Sequence, residues 1–266
     1  MKRSLILSVV ALLLSSVATA QKRELKVGDV TMTINPEQGA KIVSLKFKDQ
    51  EVLSQLRWPE SFGSTFWTSP QKEWNWPPVF ELDKGTYQVE EKAGHLVMTS
   101  PIAEKLNYRV RKDFSTDARD GAIVITYTII NESGEVRQVA PWEITRVPNA
   151  GEICFDAPLE GITPAGLLTF VQKDGVVSYQ ADEAPENRKV NADGKGWLRY
   201  ENQGLVLTKR FADLTPEQPA PGEAEIQVYV NRGKTYIELE SQGAYTTLAP
   251  GKSLDWTVRW YLAPAK

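Results

Sequence analysis

The chain has 266 residues, a net charge of −3, one histidine and one cysteine. A single cysteine excludes an internal disulfide, and with one histidine it leaves no His/Cys metal cage. Basic and acidic residues alternate without a Lys/Arg stripe, so nucleic acid is not an expected partner.

The first twenty residues, "MKRSLILSVVALLLSSVATA", carry Lys2 and Arg3, a short apolar run and a small-residue end, Ala18-Thr19-Ala20. This is the pattern of a cleavable secretory signal, and the run is too short and too serine-broken to prefer spanning a bilayer. The expected organisation is a signal peptide over 1–20 and one domain over 21–266, periplasmic or secreted and free of the membrane after cleavage. No cysteine follows the cut to carry a lipid anchor.

The mature chain then reads as strand after strand. "VTMTI" (30–34) alternates apolar and polar residues, and "IVITYTII" (123–130) is β-branched or aromatic almost throughout. "LVLTKRF" (205–211), "EIQVYV" (225–230), "YIELES" (236–241) and "LDWTVRWYL" (254–262) follow in the same style, with Asn, Asp, Gly and Pro turns between them. No stretch offers three turns of helical periodicity, so any helix is short; "LTPEQ" (214–218) has room for one turn. The pattern predicts an all-β sandwich or barrel. Polar stretches at 180–196 and 215–223 read as excursions from that domain. Cys154, in "EICFDAP", reads as a buried structural thiol. His95 opens a strand after a glycine turn and reads as a partly exposed turn residue.

Carboxylates, basic residues and tryptophans are left to carry chemistry. There is no "GxSxG", "GxxxxGK" or "GxGxxG", so neither a serine triad nor nucleotide chemistry is indicated, and no cofactor is expected. Alternation puts Tyr236, Glu238 and Glu240 on one face of their strand and Ile237 and Leu239 on the other. That face is either solvated or a site. Trp256, Val258 and Trp260 share a face that reads as core. The segment "FWTSPQKEWNWPP" (66–78) is unusual. Its prolines argue against a central strand and a helix, which predicts Trp67, Trp74 and Trp76 on irregular backbone. Such tryptophans either plug the end of a sandwich or line a cleft. An indole face stacks on the C–H face of a pyranose, and Gln71 and its neighbours can then take hydroxyls.

The order of several short motifs resembles the aldose 1-epimerases, or galactose mutarotases. These are "IQVYVN" (226–231), "IELESQG" (237–243), "LAPGKSLDWTVRWYL" (248–262) and the hairpin-like "QGAKIVSLKFKDQEVL" (38–53). The "W..PQ..W.WPP" and "PWEITR" segments look closest to an exported bacterial branch of mutarotase-like proteins. The resemblance implies a large single-domain β-supersandwich holding sugar on a concave sheet. It maps the family's catalytic base onto Glu240 of "LESQ" (239–242). The family's acid histidine maps onto "VAPWEITRV" (139–147), where the position reads Ala140. A second sugar-binding histidine is also missing near the tryptophan segment. The expectation is therefore an exported carbohydrate-binding protein, with Trp67, Trp74, Trp76 and Trp142 as stacking surface. Gln71, Glu143, Arg146, Lys209, Glu238 and Glu240 are its polar contacts. The rival expectations are an active aldose epimerase using Glu240 and a non-histidine acid, and a non-enzymatic envelope interaction domain. A two-carboxylate glycosidase is disfavoured, because Glu238 and Glu240 lie about 7 Å apart along one strand and do not flank a bond.

Overall fold

The computed structural model describes residues 21–57 and 61–265; the expected signal peptide lies outside them. Two ten-stranded antiparallel sheets face each other. In spatial order, the first sheet runs Arg23–Val27, Val30–Asn35, Lys41–Phe47, Ser64–Ser69, Arg137–Pro148, Tyr236–Gln242, Ile226–Val230 and Arg188–Ala192. Gln50–Glu51 and Thr246–Leu248 pair at its sides. The second sheet runs Phe170–Lys173, Val176–Gln180, Glu152–Asp156, Trp197–Asn202, Leu205–Arg210, Ser253–Pro264, Ala122–Asn131, Tyr108–Asp117, His95–Thr99 and Gln88–Lys92. This is the all-β sandwich expected from the alternating pattern, in the supersandwich form that the resemblance implied.

Each strand expected from the sequence is present. Ile237 and Leu239 are buried, as are Trp256, Val258 and Trp260. Buried faces of both sheets form one apolar core, the main driving force of folding. Helices are single turns at Gln71–Glu73, Phe80–Asp83 and Leu159–Gly161. Residues 214–218 form only a hydrogen-bonded turn, with Gln218 N–H donating to Thr215 O. Cys154 is a buried free thiol, and His95 is exposed at its strand start beside Asp113. The polar stretch 180–196 corrects its reading as an excursion alone. Its Arg188–Ala192 portion is an edge strand, paired with Ile226–Val230 and burying Val190 and Ala192.

Three lysines, Lys41, Lys112 and Lys209, are buried among the described residues. Lys209 Nζ stands 2.8 Å from a Glu143 carboxylate oxygen, with both side chains fully buried. Tyr127 donates its hydroxyl to the other oxygen of Glu143, and Lys209 also donates to Thr145 Oγ1 and Leu239 O. Lys112 Nζ donates to Gly39 O at 2.6 Å, and burial pushes its pKa down to about 7. Gly39 has a positive φ, and a Cβ there would meet Asp83 O at 2.2 Å, so this close approach of the chain to Asp83 requires glycine.

Candidate functional site

A cleft of about 560 Å³ opens on the face of the first sheet turned away from the second. Its volume is in the range of small-molecule sites. Trp67 and Trp142 face each other across paired strands, in direct register. Their rings meet edge to face, with centroids 5.4 Å apart. Trp76 reaches over Trp67 at 6.1 Å, also edge to face, and is 68% exposed. Gln71, in the short turn that follows the Ser64–Ser69 strand, borders the same cleft; its backbone N–H donates to Glu223.

Trp67 is fixed from behind. Its Nε1 donates to Asp83 Oδ1 at 2.8 Å, and Thr65 Oγ1 donates to the same oxygen. Burial pushes the Asp83 carboxyl up. The charge of Lys41 and the hydrogen bonds from Trp67 and Thr65 outweigh it and hold Asp83 below the usual carboxylate range. A charged acceptor makes this a strong tether for a neutral donor.

The cleft floor is polar. Arg146 Nε donates to Glu238 Oε1 at 2.8 Å, and the Arg146 guanidinium lies 5.6 Å from the Trp67 ring centroid. Glu240 Oε2 accepts from Trp142 Nε1 at 2.8 Å and from Lys189 Nζ at 2.9 Å. Lys189 also sits over the Trp142 ring at 4.8 Å. Burial pushes the Glu240 carboxyl above its ordinary value; the nearby Lys189 charge pulls it back and the Glu238 charge adds to the rise. Asn187, Tyr229, Asn231, Arg232, Tyr236 and Ser61 complete the lining.

No family model matches the sequence, and no curated protein matches it. Solved structures do. A putative aldose 1-epimerase from Escherichia coli K12 superposes with a TM-score of 0.63 at 13% identity, over 92% of this chain and 99% of that one. A galactose mutarotase related enzyme from Lactobacillus acidophilus gives 0.62 at 10% identity, over 91% and 97%. A galactose mutarotase-like protein from Clostridium acetobutylicum gives 0.60 at 10%, over 91% and 95%. The chain has the galactose mutarotase-like fold.

On this mutarotase-like frame the sequence-derived site residues divide. Trp67, Gln71, Trp76, Trp142, Arg146, Glu238 and Glu240 all border one cleft. Three others do not. Trp74 is buried, with its Nε1 donating to Thr68 O; it plugs the layer behind Trp67 and offers no stacking face. Glu143 and Lys209 pair with each other between the sheets. Strand alternation is the reason: Trp142 and Arg146 have one parity and Glu143 the other, so Glu143 faces the interior when Trp142 faces the cleft. Trp67 also corrects the expectation of irregular backbone, because it lies within the Ser64–Ser69 strand. Trp74 and Trp76 do lie outside strands, around Asn75, whose φ of 58° is the left-handed conformation that asparagine tolerates.

Ala140 shares the parity of Trp142 but is buried and does not border the cleft. Lys189 is the charged partner of Glu240 that sequence reading missed, along with Asn187, Arg232 and the cleft's tyrosines. Its signal was the alternation of Lys189 and Asn191 with Val190 and Ala192, hidden by polar flanks. Among the described residues no group of acidic, histidine or cysteine side chains is arranged to hold a metal, and no helix is long and apolar enough to cross a membrane.

Proposed function

We propose that this is an exported carbohydrate-binding protein that holds a sugar in the tryptophan-lined cleft. The observation that carries the reading is the convergence of Trp67, Trp76 and Trp142 on Glu240, the residue that matches the base of the resembling family. The exposed Trp76 indole supplies a face for a pyranose ring. Trp142 and Lys189 both use Glu240 Oε2, which leaves Oε1 to accept from a sugar hydroxyl. Arg146 and Glu238, locked together, offer a donor and an acceptor whose positions are set before any ligand arrives. That structural neighbours include a putative aldose 1-epimerase and a galactose mutarotase related enzyme is consistent with a sugar ligand. An envelope-contact role predicts no such aromatic cleft. Tryptophan fluorescence titrated with a panel of aldoses tests the reading: quenching or enhancement that saturates supports it, and a flat response to every sugar ends it. Export is tested by the mass of the protein recovered from the producing cell, which should start near Gln21.

A second reading, an active aldose epimerase, is favoured by the environment of Glu240. A carboxylate pushed upward by burial is a better proton acceptor near neutral pH. Glu240 would take the proton of the anomeric hydroxyl while Lys189, beside it, gives one to the ring oxygen. The ring C–O bond then opens to the aldehyde, and closure on the other face gives the second anomer. Glu143, buried between the sheets against Lys209, is out of reach of a ligand in the cleft and cannot be the acid. Polarimetry of freshly dissolved α-anomers separates the readings. Acceleration that disappears in Glu240→Gln makes the protein an enzyme; binding without acceleration leaves it a binder.

A further inference from the structure

Two of the three cations in the cleft are spoken for. Arg146 pairs with Glu238, and Lys189 pairs with Glu240. The third, Arg232, has no carboxylate partner among the described residues, although Glu183 borders the shallow depression on its far side. The cleft therefore carries one uncompensated positive charge on a chain whose net charge is negative.

The backbone holds Arg232 in place. Its N–H donates to Asn187 Oδ1 at 2.9 Å. That bond uses the amide oxygen of Asn187 and leaves its NH₂ group as a donor. The same end of the cleft holds Tyr229 and Tyr236. Both phenol oxygens accept from Asn231 Nδ2, at 3.3 and 2.9 Å, so their hydrogens are left to donate. The orientation of the Asn231 amide is fixed by Thr235, whose hydroxyl donates to Asn231 Oδ1. One carboxylate, Glu238, lies in register with Tyr229 here and is held by Arg146; the groups left free around Arg232 are donors, a guanidinium, an amide NH₂ and two phenols. A neutral hydroxyl needs a donor or an acceptor and is satisfied by either. Free donors led by a forked cation, beside a carboxylate already engaged by Arg146, match an anion with several lone pairs.

We propose that the cleft is built for a sugar that bears a carboxylate, a uronic acid, with the carboxylate taken by Arg232, Asn187 and the two tyrosines. The planar fork of Arg232 fits a carboxylate through two parallel hydrogen bonds. The sugar ring lies between this end and Glu240. The inference rests on the sugar-binding reading and narrows it to one substrate class.

Calorimetric titration of the mature chain with D-glucuronate, D-glucose and glucose 6-phosphate at fixed ionic strength tests it. Glucuronate should bind at least about tenfold more tightly than glucose. In Arg232→Ala the ratio of the two Kd values should fall to about one, with an intermediate ratio in Arg232→Lys, which keeps the charge and loses the fork. Arg232 lies in a surface turn, and an unchanged thermal melt shows that the variants are folded. Equal binding of glucuronate and glucose by the wild type overturns the inference and leaves the sugar-binding reading standing. Glucose 6-phosphate bound more tightly than glucuronate overturns the carboxylate assignment. Failure of all three sugars to bind overturns the reading itself, and the inference with it.

Discussion

Lys189 and Glu240 meet at 2.9 Å although their strands are not neighbours. The Ile226–Val230 strand runs between them, and Tyr229 on it lies opposite Lys189. Strands once removed are about 9.6 Å apart, so the two long side chains lean across the intervening strand to pair. That pair is the electrostatic centre of the cleft. It sets the protonation of Glu240, because the Lys189 charge opposes the upward push of burial.

Lys189→Met should therefore raise the pKa of Glu240 further. The carboxyl carbon of Glu240, followed by NMR across pH, should titrate at a higher midpoint in the variant than in the wild type. A midpoint that does not move would show that the ammonium group exerts no field at the carboxylate.

The tryptophans of the 66–78 segment should behave differently from one another. Trp76→Ala removes an exposed ring and should leave stability within about 0.5 kcal/mol while sugar affinity falls. Trp74→Ala empties a buried site and should cost about 3–5 kcal/mol in chemical denaturation. Equal effects of the two on stability would contradict their placement.

The buried Glu143–Lys209 pair gives an asymmetric prediction. Lys209→Met leaves a carboxylate unpaired between the sheets and should cost about 3–5 kcal/mol. Adding Glu143→Gln should recover much of that loss, because the neutral amide still accepts the hydroxyl of Tyr127. Urea unfolding of the single and double variants measures both. A double variant no more stable than the single one would sink the idea.

Glu225 makes stability depend on pH. Burial pushes its carboxyl up to about 7, against the hydrogen bonds from Gly196 N–H and Leu214 N–H. The unfolded value is near 4.5, so between 4.5 and 7 the folded chain holds more protons than the unfolded one. Stability from this group is thus present at low pH and is lost as pH rises across that window. Glu225→Gln carries no such dependence. Between pH 5 and pH 8 it should gain about 1–3 kcal/mol relative to the wild type, read from paired thermal melts.

Much of this was legible in the residues. Alternation in "YIELES" placed Glu238 and Glu240 together and turned Ile237 and Leu239 inward, as the structure has them. The same rule, applied to "PWEITR", would have separated Glu143 from Trp142 and Arg146. Trp67 was misplaced because the prolines that follow it end the strand rather than forbid it: Ser64–Ser69 stops one residue before Pro70. Lys189 carried only a faint alternation signal, and the meeting of Lys189, Asn187 and Arg232 in one cleft was not legible. They come together only through the pairing of the Arg188–Ala192 strand with Ile226–Val230, and pairing of distant segments leaves little local signal.

The most direct test of the proposed sugar cleft is calorimetric titration of the chain from Gln21 onward, and of its Glu240→Gln variant, with the sugar that gives the strongest fluorescence response. The expected result is saturable one-to-one binding by the wild type, weakened at least about tenfold in the variant, whose melting temperature is unchanged or raised. Equal affinity in the two proteins would place the sugar somewhere other than this cleft and contradict the assignment.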